Sequence, residues 1–169
     1  RDWSVTGVQT CALPISKDTI DVGSRPVYTT KLQAIPGASQ NFRLLAPLYF
    51  PAFEALDLQK YDLIISSTTS FAKSVVKHPA AYHICFCHNI TRFLWDTRTY
   101  IDQYQTYKAL LPVIQPIFQK LRQVDLAHAQ KPDLYISNST VVTERIQQTY
   151  KQPATTINYP IDTDRKSVV

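Results

Sequence analysis

Tyr82-His83-Ile84-Cys85-Phe86-Cys87-His88-Asn89-Ile90-Thr91-Arg92-Phe93-Leu94-Trp95-Asp96 is the stretch on which the fold turns. Its apolar run, Ile84 to Cys87, breaks at once into His88, Asn89 and Arg92, and then into Trp95-Asp96. An apolar run of strand length that gives way to polar residues reads as a buried strand delivering a loop. In open α/β sheets, ligands sit at the carboxyl ends of strands, where such loops project. His88 is therefore the first candidate for a functional side chain.

Upstream, Asp62-Leu63-Ile64-Ile65-Ser66-Ser67 carries the same signal, an apolar core followed by a Ser/Thr cluster through Ser70. Phe71–Val76 has helical character and stops at Pro79. Farther back, Val27–Thr30 reads as a short strand and Leu32–Ile35 as a short turn of helix. Between Asn41 and Phe53, Leu44, Leu45, Leu48 and Tyr49 keep helical spacing, with Pro47 and Pro51 expected to divide the segment. Downstream, Arg92–Tyr107 reads as a helix or a loop and helix. Leu110, Ile114, Ile117, Leu121 and Val124 then recur at helical spacing, with the regular helix starting near Pro112 or Pro116. Leu134–Ser137 is the next strand. Asn138 or Ser139 caps a helix whose face is Val142, Ile146 and Tyr150, and Thr155–Asn158 makes a last strand.

Strand and helix in alternation imply an α/β fold: a Rossmann-like parallel sheet, incomplete, with helices on both faces. Its strands end in Ser66-Ser67, His88-Asn89 and Ser137-Asn138-Ser139, so three polar loops should share one edge and form a ligand cleft.

The ends read differently. Val5–Ile15 resembles the translation of a sequencing-library adapter, and Asp164–Val169 that of the companion adapter. Residues 1–16 and 164–169 are expected to be artefact, which leaves 17–163 as part of one domain. About 147 residues can bury a core. Of the formal charge of +5, +4 remains once those ends are set aside, a modest excess that points to no partner. No apolar run is long enough to span a bilayer. Cys85 and Cys87, two apart in a strand, are poorly placed to bridge, which fits buried thiols in a reducing, cytoplasmic setting.

Other chemistries find little support. With only Gly23 and Gly37 outside the adapter-like ends, neither a dinucleotide fingerprint nor a P-loop can be built. His83, Cys85 and Cys87 share a strand face, but zinc ligands converge from turns, so no metal is expected. Asn138-Ser139-Thr140 is a formal glycosylation sequon that reads more simply as a helix cap. Asn89 and Arg92 beside His88 suit an oxygen-rich or anionic ligand, although Arg92 can also pair with Asp96 and order the loop.

Taken as a set, these pieces resemble the N-terminal domain of glycosyltransferase family 4, retaining two-domain sugar transferases of the GT-B fold. The mannosyltransferase-like branch looks closest. The resemblance is carried by Arg43-Leu44-Leu45 with Pro47-Leu48-Tyr49, by Tyr61–Ser67 with Ser70–Lys73, and by Cys87-His88-Asn89 with Arg92–Asp96. Asp133–Ser139 with Val142, Arg145-Ile146 and Tyr150, and Tyr159–Asp162, complete it. The chain departs from the pattern at Ile90-Thr91, where a proline often follows, at the single Pro160, and at Lys151-Gln152, where an arginine commonly stands.

The resemblance implies a retaining transfer of a hexose from a GDP- or UDP-linked sugar, a co-substrate, to a glycan or lipid-linked acceptor, with no cofactor. It places His88 against the transferred sugar as the catalytic residue, with Asn89 and Arg92 on the acceptor side. Ser137 and Asn138 would lie on a neighbouring loop and Asp162 near the crossing into a C-terminal domain that supplies the donor site. No nucleic acid is implied. The expected setting is cytoplasmic, with peripheral contact at the inner face of the membrane left open, and the fragment alone is expected to be inactive. The alternative, read from the residues, is a non-catalytic α/β module that binds a polar or anionic ligand through the same loops.

Overall fold

The structure, a computed structural model, describes residues 7–8, 27–28, 30–36, 45–96 and 111–159. Among them a short parallel pair, β1 (Gly7–Val8) and β2 (Val27–Tyr28), stands apart from the main sheet. That sheet takes β3 (Leu63–Thr68), β4 (Tyr82–Cys87), β5 (Leu134–Ser137) and β6 (Ala154–Thr156) in chain order, all parallel. The helices are α1 (Ala46–Glu54), α2 (Arg92–Trp95), α3 (Leu111–His128) and α4 (Thr140–Tyr150). The expected α/β architecture with a parallel sheet and flanking helices is what the chain adopts, although helices were expected on both faces and the described ones lie on one.

Strand parity decides the core. Ile64, Ser66 and Thr68 of β3 and His83, Cys85 and Cys87 of β4 are buried, and Tyr135 and Ser137 of β5 share their face. Against this inner face Ala129, just past the end of α3, and Val142, Ile146 and Tyr150 of α4 form one cluster with Cys85, Cys87 and Tyr135. Phe53 of α1 joins Ile64 and Val75 in a second cluster, and Phe50 joins Leu94 and Leu121 in a third.

The outer face is more open: Ile65 is 67% exposed and Tyr82 48%. Crossovers between parallel strands are right-handed, so connections that all step the same way across a sheet lie on one side of it. The steps from β3 through β6 run in one direction, and the described helices accordingly pack on the inner face. Cover for the outer face would come from connections stepping the other way from β3.

Several local expectations need adjustment. Pro51 does not divide its segment; it lies inside α1, one continuous helix with Pro47 in the first turn. A first-turn proline lacks only an N–H that the helix would leave unpaired. The stretch after Ser70 forms no α-helix but a short 3-10 turn, Ala72–Ser74. The last strand is Ala154–Thr156 rather than Thr155–Asn158, because register with Tyr135–Ser137 sets its pairing. The helix expected around Leu110 appears as α3, with Pro116 inside it. Ser139, not Asn138, caps α4: its hydroxyl accepts from the Val142 N–H. Leu44, Leu110 and residues 97–107 lie outside the described residues.

Candidate functional site

The carboxyl edge of the sheet gathers side chains from three strands. Ser67 stands near the end of β3 on the outer face, and the register Ser67↔Phe86 places His88 one pleat beyond it on the same face. The His88 N–H donates to the Thr68 carbonyl at 2.9 Å, extending the ladder past β4 and fixing where the ring begins. Ser67 Oγ then lies 2.7 Å from His88 Nε2. The second ring nitrogen, Nδ1, hydrogen-bonds the hydroxyl of Tyr159, which follows β6. Phe86 packs edge-on against the imidazole at 5.0 Å, and the Tyr159 ring lies nearly parallel to it at 5.9 Å. Partial burial pulls the His88 pKa below its ordinary value. The ring is thus neutral at pH 7, able to donate from one nitrogen and accept at the other.

Asn89 and Arg92 stand beside it with partners of their own. The Asn89 side-chain oxygen accepts from the Ile90 N–H at 3.0 Å and from Arg145 at 3.2 Å. Arg92 is paired with Asp96 at 3.5 Å, both half-exposed, so the loop-ordering role is realised. A surface pair of this length contributes little, about 0–1 kcal/mol.

The neighbouring serines divide by parity. Ser66 faces the helices, is buried, and bonds His83 Nε2 at 2.8 Å, so it lies on the side of the sheet away from Ser67 and His88. Ser137 is likewise buried and bonds Thr143 Oγ1 at 2.6 Å, and that hydroxyl in turn bonds Thr156 Oγ1 at 2.7 Å. These links tie β5, α4 and β6 together rather than open toward a ligand. Asn138 is half-buried next to the cap. Asp162 lies outside the described residues. Of the expected set, the structure brings Ser67 and His88 into contact, with Asn89 in the loop that follows and Arg92 at the first residue of α2.

Beneath that loop is a buried ionic network that sequence reasoning missed. Lys73 Nζ meets Asp125 Oδ1 at 2.7 Å, with the two side chains 2% and 0% exposed. Lys73 also donates to Thr91 Oγ1 at 3.1 Å and to the Ser70 carbonyl. Asp125 accepts from Thr91 Oγ1 and Trp95 Nε1, each at 2.8 Å. The Tyr150 hydroxyl accepts the Thr91 N–H at 3.1 Å. Burial works against the Lys73 ammonium, but the Tyr150 and Asp125 oxygens beside it more than offset this, and its pKa rises. The network pins Thr91, three residues from His88, to α3, α4 and the turn after β3. Tyr159 was missed as well, since only the fold carries it from β6 across to β4.

The Cys85 and Cys87 thiols are free and buried, and burial pushes their pKa values up to about 11 and about 12, far from a reactive thiolate. Among the described residues no group of three or more His, Cys, Asp and Glu side chains is arranged to hold a metal ion. No helix among them is long and apolar enough to cross a membrane.

Fold and site together define a parallel-sheet α/β protein with a histidine presented at the carboxyl edge. Compared with protein-family models, curated proteins and solved structures, the chain matches none.

Proposed function

We propose that this chain is the acceptor-side part of a retaining glycosyltransferase of the family 4 type. It would take part in moving a hexose, mannose by its closest resemblance, from a GDP- or UDP-linked sugar to a glycan or lipid-linked acceptor. The observation that carries this reading is His88: a neutral imidazole at the carboxyl edge of a parallel sheet, already hydrogen-bonded to hydroxyls on both ring nitrogens. A group that pairs with hydroxyls is suited to a polyhydroxylated ligand. Asn89 and Arg92, which follow His88 in the chain, are assigned to the acceptor side by the resemblance. The donor phosphates would be held by a second domain, whose preorganised charge would stabilise the departing diphosphate. A cytoplasmic setting, with contact at the inner membrane face for a lipid-linked acceptor, belongs to the same proposal.

The test begins by sequencing outward from the codons for Phe86–Asp96 in the source DNA and expressing the full-length product. Hexose transfer from GDP- and UDP-sugars is then assayed for the wild type and a His88→Ala variant. The expected result is transfer that falls at least about 100-fold in the variant, the scale of a lost catalytic hydrogen-bonding group. A full-length product without a second α/β domain, or transfer indifferent to His88, would overturn the reading.

A further inference from the structure

We infer that Tyr159 is a positioning residue for His88: its hydroxyl donates to Nδ1 and thereby holds the imidazole as the tautomer that carries its proton on Nε2, pointing at Ser67. The geometry leaves two arrangements for a neutral ring flanked by two hydroxyls. In one, Tyr159 donates to Nδ1 and Nε2–H donates to Ser67 Oγ. In the other, Ser67 donates to Nε2 and Nδ1–H donates to the phenol oxygen. A neutral imidazole has one N–H, so only one arrangement holds at a time. A phenol is a stronger hydrogen-bond donor than an aliphatic alcohol, which selects the first.

Two further contacts fix the ring in place. Phe86 abuts it at 5.0 Å with the planes 74° apart, and the Tyr159 ring, whose hydroxyl meets Nδ1, lies at 5.9 Å with the planes 20° apart. The backbone bond from His88 N to the Thr68 carbonyl anchors the other end of the residue. Tyr159 is itself 50% exposed, so its hydroxyl reaches His88 from the solvent side, not from the core.

The consequence is a site with fixed polarity. With Nδ1 occupied, Nε2 offers a donor, and Ser67 Oγ is the acceptor standing in its path. A ligand that replaces Ser67 at Nε2 must present an acceptor oxygen, such as a hydroxyl, ether or carbonyl, and an ammonium or amide N–H would meet no lone pair there. This polarity holds whether the site serves sugar transfer or simple binding, so it stands apart from the transferase reading.

The test is nitrogen NMR of the imidazole in the full chain, labelled at histidine and held at neutral pH, with His88 assigned by its loss in His88→Gln. In the wild type, Nδ1 is expected at the shift of an unprotonated nitrogen and Nε2 at that of a protonated one. Tyr159→Phe removes only the hydroxyl and keeps the ring. It should lower the ratio of Nε2–H to Nδ1–H tautomer about fivefold, the equilibrium equivalent of a hydrogen bond worth about 1 kcal/mol. Ser67→Ala should leave Nδ1 unprotonated, because its donor remains. An unchanged backbone amide fingerprint in each variant shows that the fold persists. A wild-type ring protonated at Nδ1, or a tautomer ratio unmoved by Tyr159→Phe, would overturn the inference.

Discussion

His83 and His88 sit five positions apart, yet parity gives them opposite environments. His88 lies at the edge with hydroxyls on both nitrogens, whereas His83 is fully buried on the inner face. Burial lowers the His83 pKa to about 4 from an ordinary 6.5, and its Nδ1 has no hydrogen-bond partner among the described residues. Between those two values the unfolded chain holds the His83 proton and the folded chain does not. Stability is therefore full above about pH 6.5 and falls as pH drops toward 4, by on the order of 3 kcal/mol from this residue. Urea unfolding at pH 7.5 and 4.5 should show the loss, and His83→Gln should flatten it. An equally steep loss in the variant would assign the effect to other groups. The contrast between Ser66 and Ser67 has the same origin: both were legible as a polar strand end, but only the pleat direction says which one meets His88.

At the scale of elements, the Lys73–Asp125 pair binds the turn after β3 to α3. Two charges taken out of water gain little over apolar substitutes, but breaking one partner leaves the other stranded. Lys73→Met is expected to cost about 3–5 kcal/mol in denaturant unfolding. Lys73→Met combined with Asp125→Leu should be less damaging than the sum of the single changes, because no lone charge remains. Additive costs would show that the two charges act separately.

Helix α4 makes a second case. Its C-cap, Lys151, adopts the left-handed conformation with φ 57°, which suits glycine better than any residue with a Cβ. Lys151→Gly should raise stability by about 1 kcal/mol, while Ser139→Ala, which removes the N-cap acceptor, should lower it by about 1 kcal/mol. Thermal melts of the two variants should move in opposite directions. Helix α4 was legible in advance because its cap and the Val142, Ile146, Tyr150 face are both local features. The 3-10 turn at Ala72–Ser74 was not, because Lys73 turns inward to a partner on α3 that only the folded chain supplies.

For the whole molecule, the outer face of the sheet matters most. Leu63 and Ile65 of β3 and Tyr82 of β4 present a partly exposed apolar surface, and β3 is an edge of the four-stranded sheet among the described residues. Exposed apolar area next to unpaired strand edges promotes association. The apparent molar mass of the chain from static light scattering should rise with concentration, and Ile65→Lys should reduce that rise. An apparent mass that is independent of concentration in the wild type would contradict this.

What the sequence determined by itself is whatever depends on short-range pattern. The apolar runs at Leu63–Ile65 and Ile84–Cys87, the helical face of α4 and the polar residues at the strand ends specify a parallel α/β sheet and point to His88. The rest depends on which distant residues meet, and three-dimensional packing alone decides that. Folding sent Ser66 and Ser137 into the core, joined Lys73 to Asp125, and carried Tyr159 over β5 to the Nδ1 of His88. The physical reason is that a side chain's partners follow from sheet register and strand order, which local sequence does not encode.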